Sequence, residues 1–242
     1  MRSESSHPVT ESRTLSTLPY RSLWVSILFS LILLHPLPVQ AIEPAQQDLP
    51  AIVAGLQQRF AAVTTVTANF RQTYRAPGIE QTESGILYMK KPALMHWEYR
   101  DPEQKIFIAD GRETYLYSPE NRQVVVRRFS THELLNTPLQ FLLGHGDIME
   151  SFLVSWEGEI QSRIEATYLI RLEPRNPDAE YSDLVLECDE KTFDLRRLVI
   201  RERNGNTSEF LLTDLKTNVK INNQKFQFRI PKGVEVIRME EK

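Results

Sequence analysis

The chain has 242 residues, 41% of them hydrophobic and 25% charged, which is the composition of an ordinary globular protein with one or two domains. Its formal net charge is −3, and its basic and acidic residues are interspersed, which argues against nucleic acid as a partner because phosphate contacts need a clustered basic face. The single cysteine, Cys188, excludes an intrachain disulfide. Cys188 lies on the same strand face as Leu184 and Leu186, which indicates a buried structural thiol rather than a nucleophile.

The N-terminal segment has the pattern of a secretory signal peptide. A polar, arginine-containing leader precedes the apolar residues 23–34, and the segment closes with the small-residue ending Val39-Gln40-Ala41. This run of twelve residues is too short for a membrane-spanning helix, which needs about 20. We expect cleavage after Ala41, which makes residues 1–41 a signal peptide and residues 42–242 a single exported, soluble domain. The alternatives are a start codon further downstream or retention of the segment as an anchor.

The mature chain begins with one helix and continues almost entirely as strands. Apolar residues in 49–63 recur at intervals of three and four, which predicts an amphipathic helix. Period-two alternation rich in β-branched and aromatic residues then predicts about eleven strands. These strands are residues 68–74, 83–90, 94–99, 105–109, 113–117, 123–128, 167–172, 183–188, 195–200, 208–215 and 225–230.

Turn residues between these strands predict an antiparallel meander. Asp110-Gly111 and Asn204-Gly205 suit tight hairpins, since glycine reaches positive φ angles without strain. The segment 118–121 suits a type I turn with Pro119 at its second position.

One segment, residues 131–144, interrupts the strand pattern with helical spacing of leucines and with Pro138 between two short helices. A large twisted antiparallel sheet curls, and two or three short helices are too small to fill its concave face. The sequence therefore predicts a mainly β protein with some α structure. Its sheet either closes into a barrel or stays partly open, with the helices covering a cavity for an apolar ligand.

No motif in the sequence predicts catalysis or metal binding. His132-Glu133 begins like H-E-x-x-H, but the last position of that motif is Asn136. We interpret His96 as a surface or interstrand polar group, because its neighbours of the same parity are Leu94 and Glu98. Turn formation and solvation explain a group of carboxylates better than acid–base chemistry does: Glu98, Asp101, Glu103 and Asp110.

An ordered set of short motifs resembles the LolA family, the periplasmic carriers of outer-membrane lipoproteins. The pattern G-x-L-x-x-x-K-P-x-x-x-x-W-x-Y runs from Gly85 to Tyr99. It is followed by Ile108-Ala109-Asp110-Gly111, Tyr115-Leu116-Tyr117, Gln123-Val124, Thr137-Pro138 before an apolar helix, and residues 226–234. The resemblance covers residues 49–239, and it implies an unclosed antiparallel β-barrel of about eleven strands covered by a short helical lid.

The resemblance also implies positions for the site. Met95 and Trp97 match family positions that face the cavity, and Tyr99 shares their parity; the alternative is an ordinary packed core. Lys91 matches a position where the best-known members carry an arginine that hydrogen-bonds lid carbonyls. Here a lysine replaces the planar guanidinium fork, so the latch is weaker or absent, and the alternative is a solvated strand end. The lid helix after Thr137-Pro138 contains Leu139, Phe141, Leu142 and Leu143.

The function implied by the resemblance is transport. The carrier would accept the acyl chains of lipoproteins from an inner-membrane ABC transporter, the Lol transporter. It would shield them across the periplasm and pass them to LolB or an equivalent outer-membrane receptor lipoprotein. Such a carrier is expected to be a monomer that needs no cofactor, metal or catalytic residue. Two alternatives stay open: a lipid- or glycolipid-binding sensor or carrier of the same fold, and a lipid-modifying enzyme.

Overall fold

A computed structural model describes residues 48–129 and 147–239, and all structural statements below refer to these two ranges. They form two α-helices, twelve strands and one 3-10 helix. In chain order these are α1 (Leu49–Ala62), β1 (Thr65–Ala76), β2 (Ile79–Lys90), β3 (Leu94–Asp101), β4 (Lys105–Ala109), β5 (Glu113–Ser118), β6 (Gln123–Arg128), α2 (Ile148–Ser151), β7 (Phe152–Trp156), β8 (Thr167–Pro174), β9 (Tyr181–Asp189), β10 (Leu195–Glu202), β11 (Thr207–Thr217), the 3-10 helix (Asn223–Phe226) and β12 (Glu235–Met239).

All twelve strands belong to one unclosed sheet. Their order is β12-β6-β5-β4-β3-β2-β1-β11-β10-β9-β8-β7, so pairing of β1 with β11 joins two meanders. Neighbouring strands are antiparallel except β12, which pairs with β6 in parallel. The strands β7 and β12 form the two free edges.

The helix α1 lies on one face of the sheet, which we call the inner face. It contributes the buried residues Ile52, Val53, Leu56 and Phe60 to one apolar cluster with side chains of β1–β3 and β8–β11. A methyl group added at Gly55 would come within 2.6 Å of the Phe193 ring, so glycine allows the close approach of the helix to the turn between β9 and β10. The main apolar core therefore lies between α1 and the inner face.

Two irregular segments cover the opposite, outer face. The 3-10 helix and the residues after it cover β3–β6, where Phe226 is buried and Phe228 packs against Tyr115 and Tyr117. Residues 157–166 cover β8–β11, where the carboxylate of Glu187 accepts hydrogen bonds from the backbone N–H groups of residues 163 and 164.

The predicted fold class is confirmed: the chain is mostly β, with few helices and an unclosed sheet. The helix predicted at 49–63 and ten of the predicted strands are present. The hairpin turns at Gly111 and Gly205 are confirmed by positive φ angles of 89° and 88°. The four-residue turn before β6 begins one residue later than predicted, because the N–H of Arg122 donates to the carbonyl of Pro119.

Four predictions need correction. Residues 225–230 are not a strand, because the side chain of Asn222 accepts a hydrogen bond from the Gln224 N–H and starts the 3-10 helix. The strands β7 and β12 were not predicted, and β12 breaks the purely antiparallel meander. Of the two alternatives for His96, the surface position is wrong, because the side chain is 8% exposed and its Nδ1 lies 2.6 Å from the carbonyl oxygen of Lys225, which packs over it.

The buried thiol of Cys188 is confirmed, and burial raises its pKa, which opposes a role as a nucleophile. The predicted signal peptide, residues 1–41, and the predicted lid helices within 131–144 lie outside the described residues.

Candidate functional site

Four aromatic rings form a continuous surface on the inner face, which we call the aromatic wall: Phe70 of β1, Trp97 and Tyr99 of β3, and Phe210 of β11. Ring centroids lie 4.9 Å apart for Phe70 and Trp97, 5.0 Å for Phe70 and Tyr99, and 5.7 Å for Trp97 and Phe210. The angles between these ring planes are steep, which is a favourable edge-to-face arrangement.

The wall depends on Gly85 in β2. In the sheet register Gly85 pairs with Phe70 on one side and with Tyr99 on the other, so the rings meet across a residue that has no side chain. A Cβ at this position would lie 2.0 Å from the carbonyl oxygen of Glu98, closer than any real Cβ contact. The glycine that opens the family motif therefore has a local structural reason.

The predicted site residues of β3 lie on the inner face as their parity indicated. Met95 and Trp97 are 2% and 5% exposed, within the apolar cluster. Tyr99 lies towards the polar end of the strand, where its hydroxyl donates to Gln72 at 3.2 Å and the Lys105 ammonium lies 4.4 Å from the ring centroid. Burial, assisted by the nearby Glu83, raises the pKa of Tyr99, so its hydroxyl stays neutral.

Beside the wall, α1 closes over the sheet and leaves little free space. A pocket of about 30 Å³ lies under the C-terminal half of the helix, which is room for about two water molecules. Its apolar lining is Phe60, Val63, Val66, Leu87, Leu195, Leu212 and Leu215. Within the described residues, the part of the inner face under α1 is thus packed by side chains of the protein itself.

Polar groups hold α1 in place around this apolar interior. The guanidinium of Arg59 donates to Asp194 at 2.8 and 2.6 Å and to the Thr217 hydroxyl at 2.9 Å. The Gln57 side-chain oxygen accepts from the N–H of Ile148 at 3.0 Å, which joins α1 to α2. Both contacts lie at the margin of the apolar cluster.

Lys91 holds the C-terminal end of α1. Its ammonium donates to the carbonyl of Phe60 and, at 3.1 Å, to the carbonyl of Ala61. The last carbonyls of a helix have no partner inside the helix and carry partial negative charge, so a cation stabilises them. Burial lowers the pKa of Lys91. The hydrogen bonds described for Lys91 therefore reach α1, while the predicted lid residues Leu139, Phe141, Leu142 and Leu143 lie outside the described residues.

Two members of the aromatic wall, Phe70 and Phe210, were not identified from the sequence. Both lie in predicted strands with the parity of inner-face residues. The β1-β2-β3 meander brings Phe70 to Trp97, whereas Phe210 reaches it only through the long-range pairing of β1 with β11. Within the described ranges, no three His, Cys, Asp or Glu side chains are grouped as metal ligands, and no described helix is long and apolar enough to cross a membrane.

An open antiparallel sheet whose apolar inner face is covered by a helix defines the class of this protein, a half-barrel with a covered apolar face. The family model "Outer membrane lipoprotein carrier protein LolA" matches residues 61–229. The chain is 31% identical to the outer-membrane lipoprotein carrier protein of Hahella chejuensis, over 85% of this chain and 98% of the relative. It is 29% identical to that of Chromohalobacter salexigens, over 84% and 91%.

Among solved structures, an uncharacterized conserved protein from Thermus thermophilus aligns with a TM-score of 0.49 and 13% identity, over 78% of this chain and 98% of its own. The family match and the sequence relatives identify the chain: it belongs to the LolA family of outer-membrane lipoprotein carrier proteins.

Proposed function

We propose that this protein carries lipoproteins through the periplasm by holding their acyl chains against its inner face. Family membership and the names of its relatives support the proposal. The structural observation that supports it most directly is the covered apolar surface. Among the described residues, the apolar cluster lies under α1, and the polar contacts of this helix at Arg59 and Lys91 lie at its margin.

In the closed state, α1 occupies the place that acyl chains would take. Hiding a methylene group from water is worth about 0.8 kcal/mol, so long acyl chains strongly favour such a surface. The pocket of about 30 Å³ under α1 does not admit them, so in this proposal the helix moves away. Leu56 and Phe60 then serve as a substitute for the ligand, because they keep the inner face from water when the carrier is empty.

In this proposal Met95, Trp97 and Tyr99 form the acyl-binding surface together with Phe70 and Phe210. Lys91 is a latch whose two hydrogen bonds to α1 must break before the inner face opens. The lid residues Leu139, Phe141, Leu142 and Leu143 would cover the acyl chains. Because the contacts are apolar and non-directional, a more hydrophobic acceptor can take the acyl chains without a chemical step.

The remaining parts of the proposal concern the setting. Residues 1–41 act as a signal peptide and residues 42–242 as the carrier domain, which works as a monomer in the periplasm. An inner-membrane Lol ABC transporter loads it, and LolB or an equivalent outer-membrane receptor lipoprotein unloads it. The protein performs no catalysis in this scheme.

Release of a triacylated lipoprotein from inner-membrane vesicles tests the proposal. Wild type should release the lipoprotein into solution, whereas Trp97→Glu, which places a charge in the acyl surface, should release little. Ile79→Glu is the matched control, since Ile79 is 57% exposed at the tip of the β1–β2 hairpin. Circular dichroism verifies that each variant is folded. Equal release by wild type and folded Trp97→Glu would contradict the proposal.

The alternative is a sensor or carrier of other lipids that uses the same inner face. Mass spectrometry of lipid extracted from the purified protein separates the two candidates. Retention of lipoprotein acyl chains favours the carrier, whereas retention of a glycolipid favours the alternative.

A further inference from the structure

The free edge of the sheet at β7 has backbone groups available for one more strand. The N–H of Glu157 donates to the carbonyl of Leu169, and the N–H of Arg175 donates to the carbonyl of Ser151. Together with the register of β7 on β8, these bonds show that the backbone N–H and C=O groups of residues 151, 153, 155 and 157 point towards β8. The backbone groups of residues 152, 154 and 156 therefore point away from the sheet.

Two of those three residues have no backbone partner at this edge. The N–H of Phe152 donates to the carbonyl of Ile148, and its carbonyl accepts from the Arg175 side chain at 3.1 Å. The N–H and C=O groups of Val154 and Trp156 have no hydrogen-bond partner in the part of the chain that the structure describes. The edge thus offers two donors and two acceptors in a row.

The side chains of β7 make this edge unlike the one at β12. Its five residues, Phe152–Trp156, carry no charge, and Leu153 and Trp156 are 52% and 40% exposed. The edge at β12 instead carries Glu235 and Arg238, the latter in an ion pair with Glu113. Charged side chains protect an edge against further pairing, and an uncharged apolar edge without them invites it.

We propose that β7 binds the extended first residues of the lipoprotein cargo as an additional strand. The proposal rests on the function proposed above, because it takes the cargo's acyl chains to lie on the inner face. The side chains of Val154 and Trp156 lie on that same face, where Val154 packs on the apolar cluster and Trp156 is 6.2 Å from the Tyr168 ring. The strands β8, β9 and β10 lie between β7 and Phe210 of the acyl-binding surface. A peptide paired with β7 therefore lies at the edge of the inner face, and the acyl chains on its N-terminal residue extend along that face to the acyl-binding surface.

Strand addition suits a carrier of many cargoes. Main-chain hydrogen bonds supply the affinity and do not depend on the side chains of the added strand, so peptides of different sequence can bind. The open edge next to the inner face gives the protein part of the cargo a defined exit while its acyl chains stay covered.

Calorimetric titration with two synthetic ligands tests the proposal: a triacylated cysteine amide, and the same lipid followed by a short uncharged peptide. Val154→Pro removes one outward N–H without removing a bond to β8, a position that an edge strand tolerates. Val236→Pro is the matched control at the other edge. The N–H of Glu235 donates to Arg122 there, so the alternate N–H of Val236 faces away from β6.

Val154→Pro should bind the lipopeptide about five-fold more weakly than wild type, as loss of one hydrogen bond predicts. Its affinity for the triacylated cysteine amide should be unchanged, and Val236→Pro should match wild type for both ligands. With the wild-type protein, N-methylation of alternate peptide amides should weaken binding in one of the two alternations only. This second measurement decides the matter even if Val154→Pro does not fold.

Equal affinities of Val154→Pro and wild type for the lipopeptide, with no effect of N-methylation, would overturn the strand addition and leave the carrier function standing. Failure of wild type to bind either ligand would overturn the carrier function itself. Sedimentation that shows a dimer lost in Val154→Pro, with lipopeptide affinity unchanged, would assign the edge to a second copy of the chain and refute the proposal.

Discussion

Removal of the Lys91 ammonium should loosen α1 without unfolding the sheet. Lys91→Met keeps most of the aliphatic stem but deletes both hydrogen bonds to the carbonyls of Phe60 and Ala61. A hydrogen bond from a charged group contributes about 1.5–3 kcal/mol, and a cation at a helix C-terminus about 0.3–1 kcal/mol. Lys91 is partly exposed, so solvent screens the interaction, and we take about 1 kcal/mol for the pair of bonds.

A loss of about 1 kcal/mol raises the population of the open helix about five-fold. Hydrogen exchange of peptides from 49–62 should therefore be about five-fold faster in Lys91→Met, while exchange of the central strands β1 and β2 stays unchanged. Transfer of acyl chains should also be faster, because the proposed function requires the helix to open in both loading and release.

Lys90→Met is the control, since the neighbouring ammonium donates to Asn223 at 2.7 Å in an exposed position and does not contact α1. Exchange of α1 at the same rate in Lys91→Met and Lys90→Met would refute the latch. A global loss of stability in Lys91→Met, with all strands affected equally, would show that Lys91 supports the fold rather than the opening of the helix.

Three further predictions concern the sheet that carries the site. Gly85→Ala should lower the free energy of unfolding by about 3 kcal/mol, because the added methyl group overlaps a backbone carbonyl of β3. Gly158→Ala is the control and should be neutral, because nothing lies within 4 Å of the added methyl group. Thermal denaturation measures both, and equal melting temperatures of the two variants would contradict the prediction. Burial lowers the pKa of His96 below 6.5, so the unfolded chain binds a proton that the folded chain does not, and stability should fall as pH drops below 6.5. The free energy of unfolding should fall by at most about 1.4 kcal/mol per pH unit. Urea titrations of His96→Gln should lack this pH dependence. If the stability of His96→Gln depends on pH as that of wild type does, His96 is excluded as its source. Arg197→Met leaves the buried carboxylate of Glu187 without its main cation and should lower the free energy of unfolding by about 3 kcal/mol. Arg163→Met removes an ion pair whose arginine is 60% exposed and should lower it by less than about 1 kcal/mol. Similar losses of stability for both variants in urea titrations would refute the distinction.

Local patterns were sufficient for most of the fold because each strand of the two meanders pairs with its neighbour in sequence. The prediction was wrong at residues 225–230, where the alternation of Phe226 and Phe228 reflects burial against the outer face rather than a ladder of hydrogen bonds. The strand β7 was missed because it is five residues long, follows α2 directly and has consecutive apolar residues. The short exposed β12 exists through its parallel pairing with β6, which no local pattern predicts.

The candidate site was predictable only where one strand contains it. Parity places Met95, Trp97 and Tyr99 on one face, and that face is the inner one. Of the ring neighbours of Trp97 outside β3, Phe70 comes from the same local meander, whereas Phe210 depends on the long-range pairing of β1 with β11. The packing of α1 against the inner face was not predictable from the sequence either, because it depends on long-range contacts such as that between Arg59 and Asp194.

The central claim is that acyl chains bind against Trp97 on the inner face. Trp156→Phe leaves Trp97 as the only tryptophan in residues 42–242, and a lipopeptide with brominated acyl chains quenches tryptophan only by direct contact. We expect strong, saturable quenching of Trp97 by the brominated ligand and none by its unbrominated counterpart. Saturable binding of the brominated lipopeptide that leaves the emission of Trp97 unchanged would contradict it.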